Sequence, residues 1–425
     1  MSRIGTKEKE MPKGPKQDSH VDLGRMLIAT ESEIRQGKTT DVYFLFTEDI
    51  LKKKGIDTRV VMEFYARAVP EGDWGIVSGI YEVMKLLEGV KVDARAMEEG
   101  TLFLTNRNSP VYEPVLQVEG PYVEFAKFEN PALGFLCTMS GVATRAAKLR
   151  IAARDRTLLS FGSRRVHPTL APAVEWSAFI GGADGVSNVL GAEMIGEKPV
   201  GTMPHSLVLI LGDQKKAWES FDEVIPKDIP RIALIDTLYD EKTEALMAAD
   251  TLGERLQGVR IDTPGSRKGN LRKIVEEVRW ELNIRGRHDV KIFVSGGLGE
   301  AEIAGLSDIA DGFGVGTYIS DAPSVDFSGK VVEIVGDHGE RIPRAKRGDI
   351  SGRKQAYRDW KALADVVQPE GTPAPKGTEP LLKPIMRNGE VVREFLSPRE
   401  IRERTKKQLE MLRDHQPSLS WTVPK

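Results

Sequence analysis

RIALIDTLYDEKTEALMAADTLGERLQGVRIDTPGSRKGNLRKIVEEVRWELNIRGRHDVKIFVS, residues 231–295, repeats one pattern. The apolar run Arg231–Asp236 precedes a helical stretch, Glu241–Gln257; Val259–Asp262 precedes Gly269–Ile284; Val290–Ser295 precedes Glu300–Leu306. Strand, loop and helix in series are the rhythm of parallel sheets, whose strands need a crossover of a dozen or more residues. A polar residue closes each apolar run: Asp236, Asp262 and Ser295. In such folds the site lies beyond the carboxyl ends of the strands. The spacing therefore predicts an α/β barrel, with a doubly wound sheet as the alternative, and a site on the rim those three residues share.

Upstream, Ala132–Arg154 is a long Ala- and Leu-rich helical stretch. From Thr40 to Pro131 the pattern is α+β, with strands predicted at Thr58–Val69, Val90–Met97 and Thr101–Thr105 and a helix at Gly75–Leu87. Downstream of Asp321 a strand is predicted at Val331–Val335, a helix near Gly352–Val367 and a Pro-rich loop at Gln368–Gly377. Asn388-Gly389 between apolar residues predicts a type I′ hairpin, and Ser397-Pro398-Arg399-Glu400 a capping box that opens a terminal helix. The expected divisions are a tail (1–20), an α+β domain (21–131), a βα domain (132–321) and a C-terminal segment (322–425).

A chain of 425 residues exceeds the usual size of one core, and 40% hydrophobic with 29% charged residues is ordinary for a soluble protein. With 61 Lys and Arg against 63 Asp and Glu, no global basic field exists, so a nucleic-acid partner is not expected and anions must be held by local clusters. The lone Cys137 excludes an internal disulfide and a Cys-rich zinc site. Neither a signal-peptide core nor an apolar run of membrane-spanning length is present, so the expected location is the cytoplasm.

Asp236 and Asp262 each precede a threonine and would set two carboxylates on one rim, able to hold Mg²⁺ or sugar hydroxyls or to stabilise positive charge. Helix capping is the structural alternative. The glycine turns Ser295-Gly296-Gly297-Leu298-Gly299 and Gly312-Phe313-Gly314-Val315-Gly316-Thr317 end the βα series, where phosphate sites of such barrels lie. Phe161-Gly162-Ser163-Arg164-Arg165 leaves an apolar strand with a ring and two guanidiniums, a set that suits a flat heterocyclic acid; a core aromatic beside rim arginines is the plainer reading. Arg260 shares a strand face with Asp262. His205, in Gly201-Thr202-Met203-Pro204-His205-Ser206, offers a base or phosphoryl acceptor without partners at metal-ligand spacing. Neither a P-loop nor a nucleophile elbow is found.

Taken in order, TDVY (Thr40–Tyr43), FGSRR (Phe161–Arg165), GTMPHS (Gly201–Ser206), RIDT (Arg260–Thr263) and the paired glycine turns resemble nicotinate phosphoribosyltransferase, of the type II phosphoribosyltransferase group, in its shorter prokaryotic form. The resemblance runs from about residue 40 to 317 and more loosely into NGEVV at 388–392. It implies an irregular TIM-like α/β barrel whose N-terminal α+β sandwich is completed by the C-terminal segment, in a homodimer with shared active sites. It further implies nicotinate and phosphoribosyl pyrophosphate as substrates, in NAD salvage, with Mg²⁺ and with ATP as co-substrate. By the same resemblance Tyr43 of one subunit stacks on the ring opposite Phe161 of the other. Arg164, Arg165 and Arg260 meet the carboxylate or product phosphate, Asp184 lies near the base, and Asp236, Asp262 and Thr263 serve ribose and Mg²⁺. Ser295, Gly296, Gly297, Gly314, Gly316 and Thr317 surround the 5′-phosphate, and His205 is transiently phosphorylated. Quinolinate and nicotinamide are the rival substrates; a phosphosugar aldolase or isomerase is the rival class, disfavoured by the lack of a strand-end lysine.

Overall fold

The computed structural model describes residues 26–106, 109–336 and 338–422; the tail expected at 1–20 lies outside them. The site is positioned by six parallel strands, in the order Gly185–Val186, Thr157–Ser160, Gly312–Val315, Lys291–Val294, Gly258–Ile261, Ile232–Leu234. Registers such as Leu159↔Gly185, Gly312↔Thr157 and Ile292↔Val259 set all the carboxyl ends on one edge. Leu158, Leu234, Val259, Ile261, Ile292, Val294, Phe313 and Val315 are fully buried beneath the surrounding helices, as continuously apolar parallel strands require. The expected βα order is present, in a mixed α/β fold built on a parallel sheet. Among the described residues no ladder joins Gly185–Val186 to Ile232–Leu234. Gly185–Val186 is only two residues long, and the carbonyl of Val186 is taken by the amide of Val200 in the following loop (2.9 Å).

The second layer is a seven-stranded sheet, ordered Arg341–Pro343, Asp326–Val335, Arg59–Ala68, Pro114–Pro121, Asp93–Ala96, Lys383–Arg387, Glu390–Val391. It draws strands from both ends of the sequence. Asn388 (φ 45°) and Gly389 (φ 80°) both take the left-handed conformation a type I′ turn requires, so the hairpin is where the sequence places it. Helix Glu129–Ala153 joins the two layers: Ala132 and Leu136 pack into the core of the sandwich, and Val142, Ala146 and Leu149 into that of the parallel sheet. Helix Pro398–Asp414 begins with the expected capping box at Ser397 and Glu400 and packs Ile401 and Leu409 against Ile76, Ala143 and Ala147.

The helix predicted near 352–367 is instead a hairpin, Lys354–Asp359 with Ala364–Pro369, in a four-stranded sheet with Glu379–Pro380 and Ser418–Trp421. Its charged residues defeat pattern reading because they face inward. Lys354 pairs with fully buried Glu63 at 2.8 Å, and Arg358 with Asp365 at 2.6 Å, both fully buried. Gly75–Leu87 is likewise split, into strand Trp74–Ile76 and helix Ile80–Leu87. No helix among the described residues is long and apolar enough to cross a membrane.

Candidate active site

A cleft of about 640 Å³ opens at the carboxyl edge of the parallel strands. Phe161, Ser163, Arg164 and Arg165 line one end, residues 200–206 one wall, and Arg260, Asp262, Ser295, Gly296, Gly297, Gly314, Gly316 and Thr317 the other. The expected residues thus converge from five separate segments. A volume of this size holds a small organic ligand with several anionic groups.

The two aspartates differ in role. Asp262 is partly exposed, and its Oδ1 accepts the Ser295 hydroxyl at 2.9 Å. Asp236 is buried: its Oδ2 accepts the Asp262 amide and, at 3.3 Å, the Thr263 hydroxyl, while its Oδ1 has no hydrogen-bond partner among the described residues and faces His205 Nε2 at 3.8 Å. Burial raises the Asp236 carboxyl above its ordinary value. At Asp262 burial pulls the same way, but His205, Arg260 and Ser295 outweigh it and hold that carboxyl low. Asp262 Oδ2 also lies 3.6 Å from His205 Nε2, and this carboxylate is the chief reason the imidazole is raised above its ordinary value. Thr237 Oγ1 fixes the other ring nitrogen, Nδ1, at 3.1 Å.

Arg260 donates from Nη2 to the Met203 carbonyl (3.1 Å), and among the described residues neither its Nε nor Thr202 Oγ1 has a hydrogen-bond partner. Buried polar groups are usually paired, so donors left open beside a cleft are suited to an incoming ligand. Gly296 adopts φ +84°, and a Cβ there would stand 3.0 Å from Asp262 Oδ1, so only glycine brings this turn so close to the carboxylate. Gly314 is explained by Phe161, whose ring would lie 2.2 Å from a Cβ at that position. Phe161 therefore lies across the strand Gly312–Val315 with its ring at the cleft.

Two families match the chain: the N-terminal domain of quinolinate phosphoribosyl transferase over residues 41–140 and its C-terminal domain over 142–330. Nicotinate phosphoribosyltransferase pncB2 of Mycobacterium tuberculosis is 33% identical over 327 residues, 74% of this chain and 67% of its own. The chain belongs to the nicotinate phosphoribosyltransferase family. Within that type II phosphoribosyltransferase family, the crystal structure of nicotinate-nucleotide pyrophosphorylase from Pyrococcus furiosus is 52% identical with a TM-score of 0.86, covering 92% of this chain and 99% of that one. Human nicotinic acid phosphoribosyltransferase shares the fold at 21% identity and a TM-score of 0.70. The chain is a phosphoribosyltransferase, of a family that works in NAD biosynthesis.

Two residues taken from the family resemblance lie away from the cleft. Asp184 sits at the opposite, amino end of the strands, where its Oδ2 accepts from Arg150 (2.7 Å) and from the Leu158 amide (2.9 Å). That position corrects the expectation that it lies near the base: it precedes strand Gly185–Val186, whereas the cleft begins after it. Tyr43 stands 54% exposed on helix Val42–Lys54, outside the cleft of its own chain. Thr263 braces rather than lines the site, touching Asp236 and Glu241. Sequence reading missed Thr202 and Ser187 as cleft residues and Glu244, whose carboxylate accepts the amides of Thr237, Leu238 and Tyr239 and shapes the turn after Asp236. An acid in the first turn of helix Glu241–Leu252 is the signal that could have found Glu244.

Proposed function

We propose that this chain is a nicotinate phosphoribosyltransferase, forming nicotinate mononucleotide and pyrophosphate from nicotinate and phosphoribosyl pyrophosphate. The observation that carries the reading is one cleft in which the Phe161 ring, the Arg164 and Arg260 guanidiniums, the Asp262 carboxylate and a pair of glycine turns meet, with Asp236 buried behind Asp262 and polar atoms of Asp236, Arg260 and Thr202 without a hydrogen-bond partner among the described residues. The ring and Arg164 suit a flat pyridine acid, the arginine pairing bidentately with its carboxylate. Backbone amides of Gly296, Gly297, Gly314, Gly316 and Thr317 suit the 5′-phosphate.

In the reaction the pyridine nitrogen lone pair forms the bond to ribose C1, and the electrons of the C1–O bond leave with pyrophosphate. No proton has to move in this step, so the Asp262 carboxylate and the Arg164 and Arg260 guanidiniums of the cleft suffice for it without a general base. Positive charge develops on the ribose as the bond breaks, and the Asp262 carboxylate, oriented by Ser295, is placed to stabilise it.

Asp236 and Asp262 fit Mg²⁺ as a partner of the substrate phosphates: the described residues hold no group of three metal-ligating side chains, but Mg²⁺ commonly uses one or two carboxylates and keeps waters and phosphates for the rest. When bound it would neutralise the leaving pyrophosphate. ATP coupling through His205 is part of the proposal. Nε2 faces Asp236 and Asp262, so a phosphoryl group on that nitrogen needs a divalent cation to offset two carboxylates.

The homodimer with shared sites is supported by exposed apolar faces. Val42, Tyr43, Phe46 and Ile50 form a stripe on helix Val42–Lys54, and Val189, Leu190, Met194, Leu209 and Ile210 stand exposed near the cleft wall. In this proposal the helix Val42–Lys54 of one copy seats beside the cleft of the other, with Tyr43 against the Phe161 ring. The test is turnover of nicotinate, nicotinamide or quinolinate with phosphoribosyl pyrophosphate and Mg²⁺, with and without ATP. Nicotinate alone should react, ATP should raise its yield, and acid-labile phosphate from ATP should be lost in His205→Ala. Turnover of quinolinate with release of carbon dioxide would replace this reading with the quinolinate one.

A further inference from the structure

The turn Ser295-Gly296-Gly297 follows strand Lys291–Val294 and lines the cleft, and among the described residues neither glycine amide donates a hydrogen bond within the protein. Gly296 (φ 84°) and Gly297 (φ 65°) are both left-handed, and a Cβ on Gly297 would meet nothing within 4 Å. Two glycines in series leave the peptide between them free to turn over, because neither bears a side chain that would oppose it. One contact does oppose it. Lys268, in the loop that follows Asp262, donates from Nζ to the Gly296 carbonyl, and among the described residues no carboxylate pairs with this ammonium. Lys268 is half-buried and stands outside the lining of the cleft, so it holds the carbonyl from behind the turn. The carbonyl and the N–H of a trans peptide point in opposite directions. A carbonyl drawn outward to Lys268 therefore leaves the Gly297 amide facing the cleft. The loop is anchored at both ends, by the Thr263 hydroxyl on Asp236 (3.3 Å) and by Asn270 Oδ1, which accepts the Lys273 amide (3.2 Å) at the start of helix Leu271–Ile284.

We propose that Lys268 is a positioning residue for the 5′-phosphate: its ammonium fixes the Gly296–Gly297 peptide with the amide toward the cleft and strengthens that amide as a donor. A positive charge on the carbonyl polarises the peptide, and a polarised peptide makes a stronger hydrogen bond from its N–H. Without the ammonium the peptide can turn over, and its carbonyl then faces the cleft and repels a phosphate. Charge at this end of the cleft makes the latch matter. Ser295, Gly296, Gly297, Gly314, Gly316 and Thr317 line it and carry no charge, while a Cβ on Gly296 would lie 3.0 Å from the Asp262 carboxylate. A phosphate bound to these turns meets backbone dipoles beside a carboxylate, and Lys268, one peptide away, supplies the offsetting cation. Lysine suits the task, since a compact ammonium on a flexible stem can follow a single carbonyl.

The inference rests on the proposed binding of the 5′-phosphate at the glycine turns, and the choice of ligands separates the two ideas. KM for nicotinate and for phosphoribosyl pyrophosphate, Kd for nicotinate mononucleotide and inhibition by inorganic pyrophosphate are measured for the wild type, K268M and K268R. Nicotinate mononucleotide keeps the 5′-phosphate; inorganic pyrophosphate lacks it. K268M should raise KM for phosphoribosyl pyrophosphate and Kd for the mononucleotide each about tenfold, the size of one hydrogen bond to a charged group, and leave KM for nicotinate and inhibition by pyrophosphate unchanged. K268R should bind both phosphate ligands as the wild type does, because its guanidinium can donate to the same carbonyl. Crystals of the free K268M protein should show the Gly296–Gly297 peptide turned over. An unchanged mononucleotide Kd in K268M, an equal loss for pyrophosphate, a K268R as impaired as K268M, or a Gly297 amide directed away from the bound phosphate in wild-type crystals overturns the inference while leaving the proposed function standing. A wild type that turns over no nicotinate overturns the proposed function, and one that also fails to bind the mononucleotide overturns both.

Discussion

Arg358, fully buried, and Arg260, half-buried, are guanidiniums with opposite settings. Arg358, fully buried in the C-terminal hairpin, donates to both oxygens of Asp365 (2.7 and 2.6 Å), to the Leu102 carbonyl (2.7 Å) and to Gln408 (3.4 Å). Among the described residues Arg260 donates to the Met203 carbonyl, keeps Nε without a hydrogen-bond partner and lies along the cleft. Where a buried charge is fully paired it holds strands together, and where donors are left open beside a cavity they await a ligand. The same residue type therefore reports architecture in one layer and chemistry in the other.

The sharpest way to break this contrast is Arg358→Ala, which leaves Asp365 buried and unpaired. Unfolding by denaturant should show a loss of about 3–5 kcal/mol, with KM values of the folded enzyme unchanged. A loss below about 1 kcal/mol would mean that the pair matters no more than a surface ion pair. Arg260→Gln should do the opposite: kcat/KM falls about 100-fold, roughly 2.7 kcal/mol of transition-state stabilisation, while the denaturation midpoint stays close to that of the wild type.

The contrast is sharpened across subunits by Tyr43→Ala and Arg164→Ala. The proposed dimer with shared sites predicts that each variant loses about tenfold in nicotinate kcat/KM, on the order of an aromatic contact or more, and that mixed dimers regain activity in the sites that combine two intact halves. Absence of complementation would confine the site to one chain.

The smallest effect concerns Glu129 at the start of the long helix, whose carboxyl burial pushes up to about 7, partly offset by Lys330. A carboxyl raised in the folded state keeps its proton after the unfolded chain has lost it, so stability falls as pH rises from the ordinary carboxylate range to about 7 and is then flat. Glu129→Gln should flatten that slope in thermal melts between pH 4.5 and 8 and raise the melting point at the upper end; an unchanged slope would show that Glu129 ionises freely.

Legibility followed the same division. Helix Glu300–Leu306, the strands around 231–236, 259–262 and 290–295, the Asn388-Gly389 turn and the Ser397 cap were readable because each is decided by local backbone chemistry or by an apolar run. The strands Lys354–Asp359 and Ala364–Pro369 were not, because their inward positions are charges: Lys354 pairs with Glu63, far away in the sequence, and Arg358 pairs with Asp365 only once the hairpin itself has formed. At the site, Asp262, Arg260 and the glycine turns, with Asp236 behind them, carried a visible rhythm, whereas Ser187 has no local pattern that distinguishes it from an ordinary loop residue.

By itself the sequence determined the parallel βα series, the rim on which its polar residues fall and the family to which the motifs point, since these depend on spacing along the chain. Only the tertiary structure decided that the parallel ladder stays open beside Gly185–Val186, that Asp236 is buried behind Asp262, that Asp184 braces the far end of the strands and that Lys268 holds the Gly296 carbonyl. The physical reason is common to all four. Which polar atoms end up paired depends on segments brought together from distant parts of the chain, and burial sets their cost only once those segments are packed.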